Sequence, residues 1–268
     1  EGMVLLKNEN NALPLKAKAK VSIFGKNSVN LVYGGSGSAA PDASGVRKTI
    51  YDSLEAAGFE CNPSLKSFYE SSASGDGRSS NPAMENDGVS TLKTGETAMS
   101  KYPASVTDTY DSYGDAAIVV LSRIAGENWD LPRVADDNKD RHYLELDNNE
   151  RDLLKTICNS GKFEHVIVLM NSSNYIDLGF LELESDPAYN SKIDAAIVIG
   201  SPGACGIMAL GKILSGETNP SGHTVDTVYT NYKNDPTWQN FGGNFVNGGD
   251  NYLTPSGKAT DYFLVEYD

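Results

Sequence analysis

Cysteine, histidine and long apolar runs are all scarce in this chain. Its three cysteines, Cys61, Cys158 and Cys205, lie far apart with no Cys-x-x-Cys pair. That spacing signals neither a zinc site nor a disulfide framework. Cys158 and Cys205 fall in apolar helical patterns and are expected to be small core residues. The three histidines, His142, His165 and His223, have no partner at metal-ligand spacing. No Ser or Cys sits in a nucleophile elbow, so a nucleophilic triad is not expected. No run approaches the roughly 20 apolar residues that span a bilayer. Positive charge is in deficit as well: 22 Lys and Arg stand against 36 Asp and Glu, a net charge of −14. Phosphates and anionic lipid would be repelled, so neither nucleic acid nor membrane is an expected partner. No signal peptide is visible, which favours a cytoplasmic over a secreted location. The chain opens without Met inside an amphipathic segment and stops in Phe-Leu-Val-Glu-Tyr-Asp, so it is expected to be a piece of a longer protein.

What is present is an alternation of buried strands and helices. The length of 268 residues suits one large domain or two small ones. The central stretch is 116–130. Ala116 to Leu121 is an unbroken, β-branched apolar run, expected to be a strand covered on both faces. It then turns polar at Ser122, Arg123, Gly126, Glu127 and Asp130. Ligands of open α/β sheets meet the chain just past the carboxyl ends of strands, which makes Glu127 the lead functional candidate. The bland alternative is a solvated loop carboxylate.

Elsewhere, Met3 to Leu6 reads as the end of a helix and Lys20 to Phe24 as a strand. Val46 to Ala57 reads as a helix with Ile50, Leu54 and Ala57 on one face and Gly58 closing it. Further strands are expected at Phe59–Cys61, Val166–Met170 and Ala195–Ile199. Helices are expected at 63–69, Asp147–Asn159 and Ala204–Leu214, the second opened by a capping box of Asp147 and Glu150. From Tyr229 the chain becomes rich in Asn, Gly and aromatics and reads as an extended connector. Together these elements predict a mostly parallel sheet covered on both faces.

Three clusters compete for a chemical role. Gly34-Gly35-Ser36-Gly37-Ser38 lies between a strand and a helix, where phosphates are cradled. It lacks the Lys-Ser/Thr of a P-loop and the Gly-x-Gly-x-x-Gly spacing, so a flexible turn beside a pocket is the better reading and no cofactor is expected. Asp136, Asn138, Asp140 and Asp147 nearly fit a calcium loop. Arg141 stands where that loop needs Gly and Asp147 where it needs Glu, so a solvated acidic loop is expected and no metal. Asn171-Ser172-Ser173-Asn174 follows a strand; it either lines the same rim as Glu127 or merely caps the strand.

Three segments resemble the C-terminal, sandwich-type domain of glycoside hydrolase family three, the β-glucosidase family. They are Gly2-Met3-Val4-Leu5-Leu6-Lys7-Asn8 with Leu13-Pro14-Leu15, Ser122 to Asp130, and Gly203 to Gly222 with its Asn219-Pro220-Ser221-Gly222. The resemblance covers about residues 1–228. It implies a three-layer α/β/α sandwich with a mostly parallel six-stranded sheet, and a connector over 229–268 toward a TIM-like barrel. It also implies that the barrel supplies an Asp nucleophile while this domain supplies the general acid/base Glu in a Gly-Glu-Gly-x-Asp-Arg pattern. Residue by residue, that Glu is Glu127 and the following Asp is Asp130. Asn128 stands for the Gly and Leu131 for the Arg. Trp129, Asp130, Ser36, Ser38 and Ser172 are then the expected substrate contacts, and a β-glucoside or related oligosaccharide and the enzyme's own barrel are the expected partners. The closing Tyr262-Phe263-Leu264-Val265-Glu266-Tyr267 resembles the lead-in found in members with inverted domain order. The alternatives are a non-catalytic structural or sugar-binding module and a flavodoxin-like nucleotide binder.

Overall fold

A computed structural model describes residues 2–35, 38, 40–41, 44–80, 83–84, 90–125, 131–132, 135–138, 140–181, 187–190 and 192–232, with short strands at 245–246, 249–250, 252–253 and 259–260. Its centre is a six-stranded sheet. The strands are β1 (Val4–Asn8), β2 (Lys20–Phe24), β3 (Glu60–Cys61), β4 (Ala116–Ser122), β5 (His165–Asn171) and β6 (Ala195–Val198). They lie in the order β1-β6-β5-β4-β2-β3, parallel except for β1. Every residue of β4 is buried. Ile118 and Val120 face one layer; Ala117, Val119 and Leu121 face the other. That is the period-two alternation of a strand covered on both sides.

The helices form the two outer layers. α1 (Ile50–Ala56) and α4 (Met208–Leu214) cover one face, and α2 (Pro63–Glu70) and α3 (Asn148–Asn159) cover the other. The expected three-layer α/β/α sandwich with a mostly parallel six-stranded sheet is therefore the fold. α1 and α4 approach closely because position 211 is Gly: a Cβ there would lie 2.1 Å from the Ser53 carbonyl oxygen. Ser53 completes the seam, donating to Ile207 O at 2.7 Å and accepting from Gly211 N at 2.9 Å.

Four local expectations need correction. Met3–Leu6 is not a helix end, since Val4–Asn8 forms β1, antiparallel to β6. Leu5 and Leu6 pack on opposite apolar layers, which only an extended chain permits. The first helix starts at Ile50 rather than Val46, because Thr49 and Asp52 form a capping box there. Val46 is 87% exposed. The last helix starts at Met208, after turns over 203–207, and Cys205 is exposed in those turns rather than buried in a core. Near the end of the described core, Tyr229 O accepts from Leu178 N at 3.2 Å, and the Tyr232 hydroxyl donates to Tyr175 O.

Candidate functional site

From β2 the chain crosses first to β3 on one side and then returns past β2 to β4 on the other. In an open parallel sheet that switch point opens a crevice past the carboxyl ends, where ligands bind. Gly25 makes the approach between these two strands possible. Its φ is +97°, and a Cβ would lie 2.5 Å from Val120 O.

Asn171, the last residue of β5, ties this edge together. Its Oδ1 accepts from Val32 N at 2.6 Å and from Ser122 Oγ at 3.2 Å. Its Nδ2 donates to Val32 O at 2.9 Å and to Gly200 O at 2.7 Å. One buried amide thus joins the segment that leads into the Gly/Ser loop, the end of β4 and the turn after β6. The adjacent Ser172 is buried and its hydroxyl accepts from Asn174 N at 3.1 Å. Ser173 and Ser201 share a hydrogen bond of 2.8 Å across the rim. Of the expected substrate contacts, Ser172 sits on this rim and Ser38 is exposed. Glu127, Trp129, Asp130 and Ser36 lie outside the described residues.

The two ends of the segment that carries Glu127 are described. On one side stands Arg123, buried and fully satisfied. Its Nε donates to Tyr143 O at 2.6 Å, Nη1 to Ser122 O at 2.9 Å and Nη2 to Glu145 O at 2.8 Å. The fork closes on Glu150, with Nη1–Oε1 and Nη2–Oε2 both 2.7 Å. These bonds use all five N–H donors of a guanidinium. Burial works against the Arg123 charge, but Glu150 more than offsets it, and the pKa is held above its ordinary value. Next, Ile124 N donates to the Tyr143 hydroxyl at 3.0 Å. On the other side, Leu131 packs on the small cluster of Leu92, Ile124, Tyr143 and Leu144. Leu131, which replaces the Arg of the resembled pattern, thus serves as an apolar foot.

A second layer of carboxylates supports this root. Asp147 and Glu150 form the expected capping box of α3: Glu150 N donates to Asp147 Oδ1 at 2.7 Å and Asp147 N to Glu150 Oε2 at 3.0 Å. Asp147 also accepts from the Thr94 hydroxyl. It is therefore spent on capping rather than on a calcium loop, and Asp136 pairs with Lys93 at 3.8 Å. Among the described residues no group of three His, Cys, Asp or Glu could hold a metal ion. Glu96 is buried nearby, accepting from Lys26 N at 3.0 Å and Thr97 N at 2.8 Å. Glu96, Asp147, Tyr143 and Asn149 line a cleft of about 130 Å³. Burial is the main reason that Glu96 is pushed up to about 8 and Asp147 to about 6; the charge of Glu150 raises both further.

These shifts predict a pH dependence. Both carboxyls hold their protons more tightly folded than unfolded, so their contribution to stability is present at low pH. It is lost as pH rises through about 6 and then about 8. Glu96→Gln keeps an oxygen for Lys26 N and Thr97 N without the charge. It should raise the melting temperature at pH 9 and leave it nearly unchanged at pH 5. An identical shift at both pH values would contradict the assignment. No sequence pattern pointed to Glu96, Lys26 or the Arg123–Glu150 fork; the only local signal was an Arg two positions past the apolar run Ala116–Leu121.

Comparisons with known proteins agree with this architecture. The model of the glycosyl hydrolase family 3 C-terminal domain matches residues 3–262. Beta-glucosidase A of Butyrivibrio fibrisolvens is 27% identical over 259 residues, which is 90% of this chain and 29% of that protein. A beta-glucosidase of Ruminococcus albus is 29% identical over 243 residues, 90% of this chain and 23% of that protein. The crystal structure of a beta-glucosidase from Paenibacillus barengoltzii superposes with a TM-score of 0.70 at 30% identity, covering 90% of this chain and 24% of that one. The chain therefore spans less than a third of the length of these relatives. A family match over nearly the whole chain, on a doubly wound sheet of this order, shows that the chain belongs to glycosyl hydrolase family 3 as its C-terminal domain.

Proposed function

We propose that this domain supplies the general acid/base, Glu127, to a retaining β-glucosidase whose nucleophilic Asp lies on a companion barrel domain. The observation that carries this reading is the junction at Asn171. Its amide joins the segment leading into the Gly/Ser loop to the end of β4, from which the Glu127 segment departs. Both segments therefore leave from the same edge of the sheet, at the switch point. The names of the relatives supply the substrate class, a β-glucoside or related oligosaccharide. Trp129, Asp130, Ser36, Ser38 and Ser172 are the residues proposed to line the sugar.

The chemistry follows from two carboxyls about 5 Å apart. In the first step a protonated Glu127 donates to the glycosidic oxygen as the barrel's Asp attacks the anomeric carbon. In the second, ionised Glu127 takes a proton from water, which releases the sugar with its configuration retained. The acid needs a raised pKa, and a nearby like charge or an apolar wall provides one. The barrel's Asp supplies the first and Trp129 part of the second.

Because one carboxylate without its nucleophile cannot complete this cycle, the isolated chain should show no turnover of a nitrophenyl β-glucoside. The same chain joined to its barrel should hydrolyse it with net retention. Robust hydrolysis by the isolated chain would contradict the proposal.

A further inference from the structure

We infer that Arg123, locked by Glu150, is a positioning residue for the acid/base; this rests on the assignment of Glu127. Glu127 follows Arg123 by only four positions in the chain. The guanidinium binds described residues that precede and follow Glu127 in sequence. On the outgoing side it holds Ser122 O; on the returning side it holds Tyr143 O and Glu145 O. Glu150, at the start of α3, fixes the plane of the fork through two bonds of 2.7 Å. Arg123 N also donates to Asn171 O at 3.2 Å, so the backbone at this point is tied to the rim as well. Tyr143 adds a second tie, its hydroxyl bonding Ile124 N at 3.0 Å and Ile124 O at 3.3 Å.

The chemistry of the residue fits this task. A flat fork with all donors engaged admits one orientation of the backbone segments it joins, whereas an ammonium on a flexible stem admits many. Because its donors are consumed at the root, Arg123 has none left for a sugar. Its influence on the reaction therefore runs through the placement of Glu127. An error of about 1 Å in such a group is enough to cost about 100-fold in rate.

The test uses the full-length enzyme and two substrates: cellobiose, whose leaving group needs a proton, and dinitrophenyl β-glucoside, whose leaving group does not. In Arg123→Lys, kcat/KM for cellobiose should fall about 10- to 100-fold while that for the dinitrophenyl glucoside stays within about 3-fold. The alkaline limb of the cellobiose pH profile should move as well. Tyr143→Phe, which leaves the Arg123 fork intact, should show the same selectivity more weakly, and it decides the matter if Arg123→Lys does not fold. A parallel loss on both substrates, with the pH profile unmoved, would mean that Arg123 only stabilises the fold. Glu127→Ala run alongside separates the two claims: no selectivity there overturns the acid/base assignment, and selectivity there with none in Arg123→Lys and Tyr143→Phe overturns the positioning role alone.

Discussion

Glu127→Ala in the full-length enzyme is expected to lower kcat/KM for cellobiose about 100- to 10,000-fold, the span that a positioned proton donor contributes. For dinitrophenyl β-glucoside kcat/KM should hardly change, because a dinitrophenolate departs without protonation and this ratio reports only the first step. Its kcat should nevertheless fall, since the second step loses the base that activates water. KM should fall with it as the glycosyl-enzyme accumulates. A residue that merely shaped the rim would reduce both substrates together. Unchanged rates on both would remove Glu127 from the mechanism.

The second large effect is on stability. Glu150→Ala empties two of the Arg123 bonds and takes away the carboxylate that caps Asp147 N. Arg123 and Glu150 have side chains only 0% and 1% exposed, so the guanidinium would be left charged and out of reach of water. Breaking one partner of such a pair costs about 3–5 kcal/mol. For a domain of this size that corresponds to a fall of roughly 6–20 °C in melting temperature. An exposed pair provides the control. Lys162 and Asp111 are 2.6 Å apart on the surface, where solvent and salt screen the attraction. Asp111→Ala should leave the midpoint almost where it was. If Glu150→Ala shifted the urea midpoint no more than Asp111→Ala, the fork would not be holding the root of the Glu127 segment.

The sheet was legible because its strands are short, apolar and β-branched. β2, β4, β5 and β6 lie within a residue or so of where composition put them. The α3 capping box was legible too, since both partners sit three residues apart in the chain. Elements decided by tertiary contacts were not. Val4–Asn8 has too few residues to show a period, and the open edge of β6 makes it a strand. Val46 and Cys205 continue apolar patterns beyond the point where a cap or a turn ends the helix. The same distinction governs the site. Glu127 stands out because a carboxylate follows a buried strand and a glycine in a family-like pattern. The fork that anchors its segment joins residues 27 apart in the chain, and Glu96 reaches Lys26 across 70. Nothing local in Arg123, Glu150 or Glu96 announces a partner at such distances.

The most direct measurement of the central claim is made with azide and Glu127→Ala, using dinitrophenyl β-glucoside as the substrate. Azide attacks a glycosyl-enzyme without any base and is small enough to enter the space a carboxylate leaves. Turnover should rise with azide concentration and the product should be β-glucosyl azide, while the unsubstituted enzyme should gain nothing. No acceleration and no glucosyl azide would contradict the account, because the carboxylate removed would not be the one that serves the anomeric centre.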